Sequence, residues 1–396
     1  MGQDRNHPTI AAPVRAVSSP LGLYIHIPFC EKKCFYCDFY SIENHSQRNE
    51  FVAALISEIS LACVSGRKQV VDTIFLGGGT PSLLTPTEVE TIIDAIHRHF
   101  DVAANLEFTI ECNPGTVDTK YLYDYRGLGI NRISFGVQSF FDDELVFLSR
   151  IHNSQEAITA VGEARSAGFD NINIDLMYAL PSQTTERLLS NLETGTKLGP
   201  THLSAYALIV EPGTPLFSAV SKGDVKPSEE DTEAAMYETV MNFMAGKGYD
   251  HYEISNYSLP GFQCRHNLKY WDVGNYIGFG PSAHSHLDDQ RWWNISSLNG
   301  YLAHLGNNEL PISSMEILSP SQKHDEFIFL SLRQGKLDLR VLKARFGMTL
   351  EKDFLSGMME AGYCTTADDT LILTAKGFTV CDEIAGEIIG LRSVSV

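Results

Sequence analysis

The sequence predicts an α/β fold: an open, partial (β/α)6 barrel followed by a small winged-helix-like α+β domain. Six short apolar runs alternate with longer helical stretches from Leu21 to about Gly248, the pattern of parallel strands joined by helical crossovers. Six units fall short of the usual closed barrel of eight. A doubly wound sheet shares the same rhythm. The character of the chain changes after Tyr249 and again near Pro320, where the barrel pattern ends.

The elements follow in order. Residues 1–20 are rich in Pro, Ser and Ala, lack periodicity and read as a disordered leader. The strand-like runs are residues 21–27, 72–76, 106–110, 132–137, 171–177 and 202–208. Within 46–63, Phe51, Leu55, Ile59 and Ala62 fall on one helical stripe. Further helical patterns cover 88–100, 154–167, 185–198 and 229–247, the last three stopped by Gly168, by Gly199 and Pro200, and by Gly248. These units make a core of residues 21–250. An extension over 251–318 is rich in aromatic, His, Asn and Gly residues without a clean period, and 311–320 reads as a linker. From 319 onward, helical stretches at 323–333, 339–346 and 351–361 precede a hairpin turning at Asp368 and Asp369, then a helix from Ala375. That order suggests a winged-helix-like domain serving as a structural cap.

Forty-nine acidic against 30 basic side chains give −19 at neutral pH. Such a field repels phosphate backbones and argues against a nucleic-acid binder. No apolar run reaches the ~18–20 residues that span a bilayer, and the first twenty residues have no signal-peptide core. The expectation is a cytoplasmic protein, in which eight cysteines serve as thiols or metal ligands rather than disulfides.

Three of those cysteines, Cys30, Cys34 and Cys37, lie within eight residues directly after the first strand. Their softness selects zinc or iron–sulfur. A closed zinc site needs a fourth protein ligand, whereas an iron–sulfur cube on three thiolates keeps one iron open. Spacing alone leaves zinc and buried core thiols in play. Cys63, Cys112, Cys264, Cys364 and Cys381 show no comparable spacing.

In parallel (β/α) folds ligands bind beyond the C-terminal ends of the strands. Each candidate strand delivers a polar or glycine-rich feature there: the cysteine loop, then Gly77–Gly79 with Thr80, then Glu111, Gln138 with Arg150 beyond it, Asp175, and Tyr206 with Ile209. Glycines admit close backbone approach, and carboxylates suit a ribose or an amino group.

The Cys-x3-Cys-x2-Cys spacing resembles the signature of the radical S-adenosylmethionine superfamily. The resemblance implies a [4Fe–4S] cluster on Cys30, Cys34 and Cys37 whose open iron binds S-adenosylmethionine. In that superfamily an electron from the cluster splits the cofactor to methionine and a 5′-deoxyadenosyl radical. A narrower likeness lies in Tyr24 to Cys30, Gly78 to Ser82, Phe135 to Ser139 and Asp175 to Pro181. These resemble the oxygen-independent coproporphyrinogen III oxidase family, over nearly the whole chain from Leu21. Carried over position by position, Tyr24, Tyr36, Gly78, Gly79, Thr80, Glu111, Gln138, Arg150, Asp175, Tyr206 and Ile209 would contact S-adenosylmethionine. Gly79→Val is expected to exclude that cofactor by bulk and spare the cluster.

Two departures point to a subgroup. The oxidases carry another cysteine two positions beyond the third, where this chain has Phe39. The run His266, Asn267, Leu268, Lys269, Tyr270, Trp271 resembles an HNxxYW element of the haem chaperone branch. The resemblance implies haem as a ligand, with His266 a candidate axial ligand and Tyr270 and Trp271 flat surfaces beside it. Cys264, His284 and His286 are competing ligands, and Trp292 and Trp293 add aromatic surface. The expected function is a haem carrier that serves client haemoproteins, draws on a reductant protein and forms a homodimer. The alternative is an oxidase that decarboxylates two propionates of coproporphyrinogen III, or another radical reaction on a tetrapyrrole.

Overall fold

Alternation of side chains decides which way each strand faces. In β1 (Leu21–Ile27), Leu23, Ile25 and Ile27 are fully buried on one side, and Gly22, Tyr24 and His26 turn to the other. The same split recurs along the chain. The computed structural model describes residues 19–63 and 68–391; residues 1–18 of the expected leader lie outside them.

The order continues with α1 (Arg48–Ala62), β2 (Val70–Gly78), α2 (Pro86–His99), β3 (Asp101–Cys112), α3 (Thr119–Gly127) and β4 (Arg132–Gln138). Next come α4 (Asp142–Phe147), α5 (Ser154–Ser166), β5 (Asn171–Tyr178), α6 (Thr185–Lys197), β6 (His202–Ala207), α7 (Pro215–Lys222) and α8 (Glu230–Gly246). Strands β1 to β6 are parallel neighbours in sequence order. A doubly wound sheet reverses order at a switch point; this one does not, so the partial barrel is the fold. Its outer wall is apolar. Ile74, Leu76, Phe108, Ile110, Ile133, Phe135, Ile172, Ile174 and Leu203 pack against helix residues such as Leu55, Ile59, Ile92, Ile96, Val161, Leu188 and Val240 in one core. Each such side chain contributes roughly 1.5–3 kcal/mol on burial. Helix starts are fixed locally: Thr85 and Glu88 form a capping box on α2, and Asn153 and Glu156 form one on α5.

Residues 251–318 correct the expectation of an extension without regular pattern. They hold most of β7 (Asp250–Glu253), then β8 (Asn256–Ser258), α9 (Arg265–Trp271), β9 (Tyr276–Phe279), β10 (His284–Leu287), β11 (Gln290–Asn294), α10 (Leu298–Gly306) and β12 (Ile312–Ile317). These strands extend the sheet at both edges to twelve, in the order β12-β11-β10-β9-β1-β2-β3-β4-β5-β6-β8-β7. Runs of three to six residues are too short to show a period. The expected linker over 311–320 holds β12, whose mixed polar sequence reflects an exposed edge. Buried Glu58 of α1 fastens this extension, accepting hydrogen bonds from Gly280 N, Asn294 Nδ2 and Tyr301 Oη.

The C-terminal elements are α11 (Pro320–Arg333), β13 (Lys336–Asp338), α12 (Leu339–Phe346), α13 (Lys352–Glu360), β14 (Cys364–Ala367), β15 (Thr370–Leu373), α14 (Ala375–Phe378) and α15 (Cys381–Leu391). The sheet β13-β15-β14 with its helices matches the winged-helix-like expectation, with the last helix split in two. Among the described residues, no helix is long and apolar enough to cross a membrane.

Candidate cofactor cavity

The face of the barrel strands that is not apolar encloses a cavity of about 650 Å³. Its mouth is the cysteine loop between β1 and α1. The base of that loop is pinned by Cys30 N to Ile42 O (2.9 Å) and Ile42 N to Pro28 O (2.7 Å), and His45 Nε2 meets Cys30 O at 3.0 Å. Cys30 is buried, Cys34 and Cys37 are half-buried, and all three line the cavity. Two donors reach the sulfurs from loops, one after β2 and one between α4 and α5. Thr80 Oγ1 donates to Cys30 Sγ at 3.6 Å, and Arg150 Nη1 to Cys34 Sγ at 3.3 Å. Among the described residues, no three His, Cys, Asp or Glu side chains close on a single metal ion. The thiols instead face a shared space wider than one ion.

Every residue expected to meet S-adenosylmethionine from β1 to beyond β6 borders this one cavity: Tyr24, Tyr36, Gly78, Gly79, Thr80, Glu111, Gln138, Arg150, Asp175, Tyr206 and Ile209. Glu111 accepts from Gly78 N at 3.2 Å. Burial, and secondarily the Asp175 carboxylate, push its carboxyl up to about 8. Asp175 accepts from Ser134 Oγ (3.2 Å) and Asn173 Nδ2 (2.7 Å), and burial raises it too. Burial raises the Tyr36 phenol, against the pull of Arg150. Arg150 Nη2 donates to Gly136 O at 2.6 Å; a side chain at Gly136 would meet that Nη2 and Gln138 Nε2. Gln138 itself takes φ 70°, turning the chain out of β4. Tyr206 and Ile209 stand exposed at the rim, at 40% and 63%, with Phe39, which is 64% exposed.

Gly79 needs a correction. A Cβ there would sit 2.6 Å from Phe29 O and 3.0 Å from Cys30 Sγ. Bulk at this position therefore strikes the cysteine loop, and Gly79→Val does not separate cofactor from cluster. Gly78, at φ 112°, is closed to side chains by its backbone and by the His26 ring.

At the far end, α9 plugs the N-terminal opening of the barrel. Arg265 and Lys269 pair with Asp72 at the start of β2. Glu107 of β3 caps the helix, accepting from Arg265 N (3.0 Å) and His266 N (2.9 Å). His266, Asn267 and Tyr270 line the cavity floor. His266 is buried with both ring nitrogens engaged, Nδ1 with Thr73 Oγ1 at 2.9 Å and Nε2 with Tyr270 Oη at 2.8 Å. Burial pushes its imidazole down to about 3, a neutral ring stacked on Phe75. Trp271 is half-buried and does not line the cavity. Cys264 is fully buried with its thiol on Glu107. His284 stacks on Trp293, and His286 meets Gly274 O, on strands outside the cavity lining.

Sequence reasoning passed over Arg132, Ser134, Asn173 and Ser204, which also line the cavity. The signal was available: polar residues at every second position of otherwise apolar strands.

Comparison with known proteins agrees with this picture. The family model described as the Radical SAM superfamily matches residues 24–194. A "Heme chaperone HemW" of Mycobacterium tuberculosis (strain ATCC 25618 / H37Rv) is 35% identical over 377 residues, 94% of this chain and 95% of that protein. One from Bacillus subtilis (strain 168) is 34% identical, covering 93% and 98%. One from Escherichia coli (strain K12) is 42% identical over 267 residues, 67% and 70%. The solved coproporphyrinogen III oxidase (HemN) of Escherichia coli superposes with a TM-score of 0.80 at 23% identity, over 94% of this chain and 90% of that one, a likeness of fold.

Proposed function

The chain belongs to the heme chaperone HemW family, with 35% identity to a member across 94% of its length, and we propose that it binds haem and hands it to client haemoproteins. The radical SAM match over 24–194 implies a [4Fe–4S] cluster and S-adenosylmethionine. The residues fit both groups: three thiols face one cavity, donors from Thr80 and Arg150 reach two of them, and the walls beyond are polar. Cys30, Cys34 and Cys37 would hold the cluster on three irons. Glu111, Asp175, Gln138 and the Gly78–Thr80 backbone would hold S-adenosylmethionine, with Tyr206 and Ile209 walling its exposed side. When bound, the pair supplies one-electron chemistry. The chain itself orients: Arg150 places a positive hydrogen-bond donor and Thr80 a neutral one on sulfur, which stabilises thiolate charge, and the apolar outer wall packs against the helices.

The observation that carries the haem reading is the placement of α9. Its His266 and Tyr270 form a wall of the same cavity that the cysteine loop opens, so the HNxxYW element and the cluster loop serve one chamber. For His266 to ligate iron, the Tyr270 hydroxyl must leave Nε2. Trp271 would contribute from behind, supporting the helix. A protein reductant and a homodimer complete the proposed partners.

The convergence of Glu111, Gln138, Arg150 and Asp175 keeps the oxidase as a second reading. Anaerobic incubation of cluster-loaded protein with coproporphyrinogen III, S-adenosylmethionine and a reductant, with haem titrated in parallel, separates the two. The expected result is saturable haem binding without protoporphyrinogen. His266→Ala and Tyr270→Phe are read in the same titration with iron content as the folding control. A ligand role predicts an altered haem spectrum in the first and tighter binding in the second. Steady protoporphyrinogen formation would restore the oxidase.

A further inference from the structure

The lumen reaches well past the strand ends where S-adenosylmethionine is placed. From Gln138 to Arg132 along β4 is six residues, about 20 Å at 3.3 Å each, and both border the cavity. Arg132 is 2% exposed and is the largest fully buried side chain among the described residues. Its guanidinium Nε is buried without a hydrogen-bond partner. A guanidinium donates from a fixed planar fork, and leaving even one buried donor unmatched costs about 1–3 kcal/mol. Natural interiors rarely leave such a group unmatched without cause.

Neighbouring carboxylates answer its charge but not its donors. Glu107 and Asp175 lie close enough to act on it electrostatically. Glu107 is occupied by the first two amides of α9 and the Cys264 thiol. Asp175 is occupied by Ser134 and Asn173. Elsewhere on the cavity lining, Asn256 of β8 has an unpartnered Oδ1. Thr109, level with Arg132 on the adjacent strand, leaves its hydroxyl unpartnered as well. The deep end of the lumen thus holds one planar, fork-shaped cation with an unmatched donor. A carboxylate is the acceptor that matches that fork in two parallel bonds.

We propose that Arg132 is a receptor for a carboxylate-bearing arm of a ligand that enters the lumen beneath the cluster loop. The inference rests on the haem reading for its first source, a tetrapyrrole propionate. The second source is the carboxylate of an S-adenosylmethionine molecule seated in this recess rather than at the strand ends.

The test uses full-length, cluster-loaded protein and two pairs of probes: haem against haem dimethyl ester, and S-adenosylmethionine against its decarboxylated analogue. Loss of one charge-assisted pair is worth about tenfold or more in affinity. The parent protein is expected to prefer haem over the ester by at least about tenfold. Arg132→Gln should bring that ratio near one, and Arg132→Lys should keep part of it, while iron content and S-adenosylmethionine affinity hold. Arg132→Lys retains the charge facing Glu107 and Asp175 and so guards against misfolding, and the parent's own ratios need no variant. A preference only for S-adenosylmethionine over its analogue, lost in Arg132→Gln, assigns the recess to that carboxylate. A haem ratio near one in the parent, together with an S-adenosylmethionine ratio that Arg132→Gln leaves unchanged, overturns the proposal and leaves Arg132 a hydrated counter-charge. A parent that binds no haem sinks the chaperone reading instead, and the S-adenosylmethionine pair still decides Arg132.

Discussion

Two residues at the mouth show how tightly cluster loop and cofactor wall are joined. Gly79 lies under the cysteine loop with no room for a methyl group between it and Phe29 O. Gly79→Ala is expected to lower stability by about 2–3 kcal/mol and to reduce bound iron, measured by iron assay and thermal melting. Iron at the parent level would show that the loop yields instead. Glu111 gives a pH signature. Its folded carboxyl titrates at about 8, above the ordinary value, so near neutrality the empty site holds it protonated. A ligand ammonium or sulfonium favours the carboxylate. S-adenosylmethionine affinity should therefore rise with pH, by up to about tenfold per unit below 8, and level off above it. Calorimetry from pH 6 to 9 measures it, and Glu111→Gln should flatten the curve.

Among the elements, α9 has the most unusual support: a short helix whose first turn is capped by a carboxylate of a distant strand. Glu107→Ala strips the acceptor from two buried amides and is expected to cost about 2–4 kcal/mol. The loss should be concentrated at α9, read as faster hydrogen exchange of residues 265–271. Uniform protection across the barrel would place the helix under other control. This helix also marks where sequence reading stops. The barrel strands were legible because Ile, Leu, Val and Phe gather in short runs bounded by Gly and Pro, and β1 was bounded correctly at both ends. The mouth was legible because cysteines and strand-end carboxylates carry chemistry in their spacing. Strands β7 to β12 were not, being short and partly exposed. Nor was the engagement of both His266 nitrogens, since Thr73 is 193 positions away. Arg132 was hidden because a charge inside an apolar run reads as a strand end rather than a lumen residue.

At the scale of the molecule, the C-terminal elements cover what the barrel leaves open. Phe378 lies 4.1 Å from the His251 ring on edge strand β7, and Gln334 Nε2 donates to Asp272 beyond α9 at 2.7 Å. A chain ended after residue 318 uncovers that edge and loosens the plug. It is expected to melt about 10 °C lower or to associate through the bare strand, by calorimetry and light scattering. An unchanged melting point would make 319–396 an autonomous unit. One feature of the barrel also limits how its gene can change. Along most of β1 to β6 residues alternate between core and chamber, most regularly in β1 from Gly22 to Ile27. Inserting or deleting a single codon within β1 would exchange Leu23 and Ile25 for Tyr24 and His26. Core and site would fail together, even with every original side chain retained. Substitutions can retune this chamber one position at a time, but changes of length are confined to the loops.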